Sequence, residues 1–135
     1  MTKPAGYRAL IERDWEIPQG SDTTNPLIFK TRETPEDEWE YPDLTAGWTA
    51  RAQIRKKVGS TEWVTFLSSS LSGPRISLET EGRVYIILPA ATTEDESWDA
   101  YGKGVYDCEL ISPTDYVWRL AEGKVEVFHD VTRTA

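Results

Sequence analysis

Carboxylates are the most concentrated chemistry-bearing side chains in this sequence. Glu36, Asp37, Glu38, Glu40 and Asp43 crowd one stretch, and Glu94, Asp95, Glu96 and Asp99 crowd another. Clusters of this kind can coordinate Ca²⁺, which takes several oxygen ligands. The spacing does not match an EF-hand loop, because the glycine and the closing glutamate that such a loop needs are missing. Both clusters therefore read as solvated acidic loops, with no metal and no cofactor implied. Paired carboxylates also serve glycoside hydrolysis. Here the acids fall in loops of a small chain, with no cleft defined around them.

Nucleophilic chemistry has even less to work with. The single cysteine, Cys108, excludes an internal disulfide. It alternates with Tyr106 and Leu110, the position of a small buried hydrophobe. A catalytic thiol needs a histidine beside it. The sole histidine, His129, belongs to a different segment and reads as a surface residue. No Gly-x-Ser-x-Gly, Walker loop, His-Glu-x-x-His or Cys-x-x-Cys pattern occurs. The expectation is a protein with no catalytic residues, not an enzyme.

Aromatic side chains are the remaining candidates for recognition. Trp39 and Tyr41 stand inside the first acidic stretch, and Trp63, Trp98 and Tyr101 lie near loops or a short helix. Each could pack on the core, anchor a partner protein, or stack on a sugar ring. Trp39 and Tyr41, ringed by Glu36, Asp37, Glu38 and Glu40, resemble an aromatic anchor with a polar rim. That makes these six residues the candidate partner interface, together with the chain ends. Trp98 and Tyr101 are candidate loop aromatics, with Trp98 expected to seat its helix. An exposed platform of Trp39, Tyr41 and Trp98 would instead favour a host glycan.

Composition narrows the partners. A net charge of −8 leaves no basic face for phosphate, and no Lys/Arg cluster exceeds Arg55-Lys56-Lys57, so nucleic acid is not an expected partner. The first fifteen residues lack the apolar stretch of a signal peptide, and no run is long enough to span a membrane. A single free thiol fits a protein made soluble in a reducing cytoplasm.

The elements that must position these groups are strands. Residues 1–6 read as an N-terminal tail of a single domain over 1–135. Tyr7, Ala9, Ile11, Arg13, Trp15 and Ile17 share one parity of a first strand, ended by Pro18-Gln19-Gly20. Leu27 to Arg32 is a second strand, followed by the acidic loop. Trp48, Ala50, Ala52 and Ile54 then alternate with Thr49, Arg51, Gln53 and Arg55, the cleanest period-two pattern in the chain. Gly59-Ser60 and Glu81-Gly82 turn two hairpins, and Ser68-Ser69-Ser70 is a loop. Ala91 to Tyr101 is the one helical candidate, with Thr92 or Thr93 as N-cap and Gly102 or Gly104 as terminator. Val105–Leu110 and Trp118–Val127 form a meander around Ser112-Pro113-Thr114-Asp115, with a further turn at Glu122-Gly123. The inward set predicted from this pattern is Trp48, Ala50, Ala52, Ile54, Val84, Ile86, Leu88, Tyr106, Cys108, Leu110, Val125 and Val127. About eight short strands with regular turn signals predict an all-β sandwich or barrel.

Four segments in order carry a resemblance: Asp43-Leu44-Thr45-Ala46-Gly47 leading to Arg51-Ala52-Gln53-Ile54-Arg55, then Tyr106-Asp107-Cys108-Glu109-Leu110, then Leu120-Ala121-Glu122-Gly123-Lys124-Val125-Glu126-Val127, and a closing Val131-Thr132-Arg133. This order resembles the small immunoglobulin-like module of tailed-bacteriophage virion proteins, and is similar to the N-terminal module of siphophage upper baseplate proteins. Cys108 stands where such modules carry an aliphatic residue. The resemblance implies an immunoglobulin-like antiparallel β-sandwich with one short connecting helix. It implies a non-catalytic structural protein that docks on other virion proteins of the tail or baseplate in symmetric copies. A minor tail, head–tail completion or capsid-decorating role is the related alternative, and a carbohydrate-binding module is the alternative of another class.

Overall fold

The computed structural model describes residues 10–129. The described residues form nine strands: β1 (Ile11–Glu12), β2 (Trp15–Pro18), β3 (Thr23–Ile28), β4 (Thr49–Arg55), β5 (Glu62–Leu67), β6 (Arg75–Leu78), β7 (Arg83–Leu88), β8 (Lys103–Ile111) and β9 (Val117–Phe128). A four-residue helix, α1 (Ala90–Thr93), and a 3-10 turn (Glu96–Ala100) link β7 to β8. The strands are connected in the order β1-β9-β8-β4-β5-β6-β7-β3, with β2 also on β9. β2, held beside β1 on β9, approaches β3 at the other end of that order, and Trp15 Nε1 donates to Thr23 Oγ1 across the gap at 3.2 Å. The sheet thus curls into a near-barrel.

Period-two burial explains why these segments are strands. Ala50, Ala52 and Ile54 of β4, Val84, Ile86 and Leu88 of β7, Tyr106, Cys108 and Leu110 of β8, and Val125 and Val127 of β9 all face the core, as their alternation predicts. Each large aliphatic side chain buried this way contributes about 1.5–3 kcal/mol. Trp48 falls short of the full burial expected. It lies one residue before β4 and is half-buried against Phe29 and Trp118, at ring separations of 5.7 and 5.8 Å.

Several local expectations change. The pairing is not antiparallel throughout: β1 and β2 run parallel to β9, and β5 meets β6 in parallel at the single pair Leu67–Arg75. No tight turn joins β2 to β9, so nothing local dictates their relative direction. The second strand starts earlier than predicted and ends at Ile28. Pro26 is tolerated there because β3 is hydrogen-bonded on one side only, to β7. The first strand breaks at Arg13-Asp14 into β1 and β2. Its residues Tyr7 and Ala9, the tail 1–6 and Val131-Thr132-Arg133 lie outside the described residues.

Glu122-Gly123 does not turn the chain, and β9 runs straight through it. A Cβ on Gly123 would sit 2.1 Å from the Arg13 carbonyl oxygen and 3.0 Å from the Tyr106 ring. The glycine serves close approach of the first strands, not reversal. One position earlier the register slips: Cys108 faces Ala121 while Glu109 faces Arg119, so Leu120 is an extra residue, and both Leu120 and Ala121 are buried.

The helical link also differs in detail. Pro89 precedes α1, and Thr93, expected as a possible cap, is instead a fully buried hydroxyl that accepts from Gly20 N–H at 2.7 Å. Asp95 caps the 3-10 turn by accepting from Ser97 N–H at 2.9 Å. The turn ends at Tyr101, not at a glycine. The Ser112–Asp115 turn holds as predicted, with Ser112 Oγ accepting from Tyr116 N–H at 3.0 Å.

Gly123→Ala is expected to destabilise the fold by about 2–4 kcal/mol, because backbone must move to admit the methyl group. A guanidinium titration reads this as a lower midpoint with an unchanged slope. A midpoint equal to the parent's would overturn the close-approach account.

Candidate functional site

The first acidic stretch is a closed loop. Thr31 and Glu40 exchange backbone hydrogen bonds of 2.9 and 2.7 Å, which pinch its base. Inside, Asp37 N–H donates to the Thr34 carbonyl and Thr34 N–H donates to the Asp37 carboxylate, both at 3.1 Å. Glu36, Asp37, Glu38 and Glu40 are exposed, and Tyr41 is 49% exposed. Trp39 is half-buried, with Arg32 Cζ at 4.1 Å and Lys30 Nζ at 4.5 Å from its ring centre. Lys30 and Arg32 follow β3 at alternate positions, so both side chains can reach one ring. Such contacts contribute roughly 0.5–1 kcal/mol at exposed sites. They hold Trp39 against the loop's own base, and Tyr41 becomes the more available aromatic. At the loop's exit, Thr45 donates to Asp43 through its hydroxyl at 2.6 Å and its N–H at 2.9 Å. These bonds hold the Asp43 carboxyl below its ordinary range.

The second acidic stretch is used by the fold. Asp95 caps the 3-10 turn, and the Ser97 bonds lower its pKa. Asp99 accepts from the Gln19 amide at 2.8 Å. Gln19 is itself buried, and its carbonyl oxygen lies 2.7 Å from Nδ1 of the exposed His129. Trp98 is buried and seats the turn, in contact with Trp63 and Tyr101, which stack on each other at 4.4 Å and 6°.

The two stretches lie at opposite ends of the barrel. Thr23 pairs with Leu88, next to the helical link, whereas Ile28 pairs with Arg83 at the far end, next to the loop. The structure therefore keeps Trp39 and Tyr41 together and separates them from Trp98 and Tyr101. An exposed platform of Trp39, Tyr41 and Trp98 does not form.

Cys108 is fully buried, and burial pushes its thiol up to about 12, helped by the neighbouring charges of Asp107 and Glu109. Burial likewise raises the pKa of Tyr106, whose hydroxyl donates to the Arg13 carbonyl at 2.6 Å. Among the described residues, no group of three His, Cys, Asp or Glu side chains is placed to hold a metal ion. No helix there is long and apolar enough to cross a membrane.

Two open grooves mark the surface of the described residues. One, of about 460 Å³, lies on the outer face of β8 and β9 and is lined by charges that include Glu12, Arg55 and Lys124. Arg119 at its floor pairs with Asp107 at 3.7 Å and Glu122 at 3.5 Å. The other, of about 490 Å³, lies at the acidic-loop end, between the segment before β4, the Ser68-Ser69-Ser70 loop and β6. Sequence reasoning missed it, because its residues come from three separated segments and the serines carry only a loop signal.

No protein-family model matches the chain, and no curated protein matches it in sequence.

Three outcomes follow from these sites. Ellman's reagent should leave Cys108 unlabelled at pH 8 in the native protein and label it fully in denaturant. The neutral thiol and phenol are favoured by folding, so stability is fully present below the ordinary thiol pKa of 9.0. It should fall as pH rises from there towards about 12. Rapid native labelling, or constant stability through that window, would contradict the burial of Cys108. EDTA should leave the melting temperature unchanged, since no cluster of three His, Cys, Asp or Glu side chains among the described residues is placed to hold a metal ion.

Proposed function

We propose that this chain is a non-catalytic structural protein of a tailed-bacteriophage virion, an immunoglobulin-like adaptor that docks on other tail or baseplate proteins. The observation that carries this reading is the placement of the resembling segments. Three of the four fall on β4, β8 and β9, which are neighbours in one sheet. The strand order supports the immunoglobulin-like part. Among the described residues, backbone pairing joins the set β9-β8-β4-β5 to the set β6-β7-β3 only at Leu67–Arg75, as two facing sheets would be joined. The first strands add in parallel to the last.

The surface chemistry agrees with docking. Cys108 is buried, His129 is hydrogen-bonded to a structural glutamine, and the second acidic stretch braces the helical link. The 31–43 loop is the exception: it is closed at its base, so it presents Tyr41 and its carboxylates at little cost in loop ordering. Its charge would steer it to a basic surface, with salt slowing association more than it speeds release. The partners on this reading are other virion proteins in symmetric copies, with no nucleic acid or membrane involved.

The test is incorporation. Purified particles are analysed by mass spectrometry for the parent and for the variants Tyr41→Ala and Glu36→Lys/Asp37→Lys/Glu38→Lys. The parent is expected in particles at a fixed copy number. Both variants should incorporate less while melting within a few degrees of the parent, because exposed substitutions cost within about 0.5 kcal/mol. A parent protein found only in the soluble fraction would overturn the virion reading. Normal incorporation of both variants would remove the loop as the interface.

A further inference from the structure

The geometry points to the 490 Å³ groove as a binding site for a neutral saccharide, separate from the acidic loop and independent of the docking reading. The volume falls within the roughly 300–1,000 Å³ range of small-ligand sites. Its chemistry is what singles it out. Six hydroxyl side chains line it: Thr45, Thr49, Ser68, Ser69, Ser70 and Ser77. One indole, Trp48, and one guanidinium, Arg75, complete the polar and aromatic lining. The floor is apolar, with Leu44 and Ile76 both buried.

These groups match a pyranose ring term by term. A sugar has an apolar C–H face and a rim of hydroxyls, each both donor and acceptor. A tryptophan ring suits the first, and serine and threonine hydroxyls, which donate and accept, suit the second. Much of the hydroxyl capacity is unspent. Ser68 Oγ accepts from Ala50 N–H at 2.9 Å, which leaves its own proton to donate. Thr49, Ser69 and Ser70 make no side-chain hydrogen bond to the described residues. Arg75 gives one N–H to the Gly73 carbonyl at 3.0 Å and forms no ion pair with a described residue.

Trp48 is also held ready. Its ring stacks on Trp118 at 5.8 Å and 25°, and Trp118 is braced in turn by Phe29 at 5.2 Å and Tyr116 at 4.4 Å. A ring fixed before binding loses little freedom on contact. The sugar should be neutral. Arg75 is the sole charge in the lining, while Asp43 bonds Thr45 and Glu79 bonds Ser77 at the margins. Those carboxylates oppose an acidic ligand.

The experiment is a ¹⁵N-resolved NMR titration of the whole protein with cellobiose, maltose, lactose and chitobiose, beside glucuronic acid and inorganic phosphate. At least one neutral disaccharide should shift the Trp48 indole N–H and the Ser68–Ser70 amides, saturating by about 20 mM. The acidic sugar and phosphate should bind about tenfold more weakly or not at all. Arg75→Gln should weaken the neutral sugar about tenfold, since charge-assisted bonds to its hydroxyls are lost. Trp48→Ala should abolish binding, but it removes part of a ring stack that also supports the fold. Ser69→Tyr therefore serves as the second variant: the residue is exposed, and a tyrosine there fills the groove without touching the core. Four outcomes overturn the proposal: no shift with any neutral sugar, shifts confined to other regions, binding that survives Ser69→Tyr, or phosphate binding as tightly as the sugar.

Discussion

The close approach of the first strands to β9 is the contact on which the rest of the structure depends. β9 pairs with β8 on one side and with β1 and β2 on the other, so it ties the described chain's beginning to its end. Gly123 allows this, since any side chain there would strike the Arg13 backbone. Tyr106 then reaches across to hydrogen-bond the same Arg13 carbonyl, and Lys124 N–H donates to the Asp14 carboxylate at 3.0 Å. The exposed interruption between β1 and β2 is thus bridged to β8 and β9 by hydrogen bonds, including Arg13 N–H to the Glu122 carbonyl at 3.0 Å. With that seam fixed, Trp15 packs on Phe66 and Tyr106 at 5.8 Å each, and the core closes over them.

The far end of the same strands is held by polar rather than apolar contacts. Gly20 N–H bonds Thr93, Ala90 N–H bonds Asp22 at 2.7 Å, and Gln19 bridges Asp99 and His129. These bonds join the turn after β2 to the helical link, which carries Trp98 into the core. Groups that might have done chemistry are here consumed by architecture. A fully buried threonine or glutamine persists only when its hydrogen bonds are made, because an unmet buried polar group costs about 1–3 kcal/mol. The proposed functions accordingly rest on the opposite end of the barrel, where loops are long and polar groups are left to solvent.

That end carries two surfaces of different character. The acidic loop is exposed, charged and pinned by its Thr31–Glu40 pairing. The groove beside β6 is concave, rich in hydroxyls and nearly uncharged. Long-range charge acts on the first and short-range hydrogen bonding on the second, so the two can serve different partners. The weak β5–β6 junction shapes this difference. With one paired residue between them, the two strands diverge, and the Ser68–Pro74 connection fills the space that a regular ladder would have closed.

Much of the fold was legible in the sequence because burial on a strand has a period of two. The alternations in β4, β7 and β8 and in the ends of β9 placed the inward residues, and the hairpin turns at Gly59 and Gly82 followed from residue type. The all-β class, the buried Cys108, the exposed His129 and the exposed acidic loop came from the same local logic. What only the tertiary structure decided were contacts between distant segments. The sequence cannot show that Gly123 spares the Arg13 carbonyl rather than making a turn, nor that the first strands run parallel to the last. It cannot show that Lys30 and Arg32 cover Trp39, or that Trp48, Ser69 and Arg75 share one groove. Strand periodicity is set by neighbours along the chain, whereas strand direction, close approach and site assembly are set by neighbours in space.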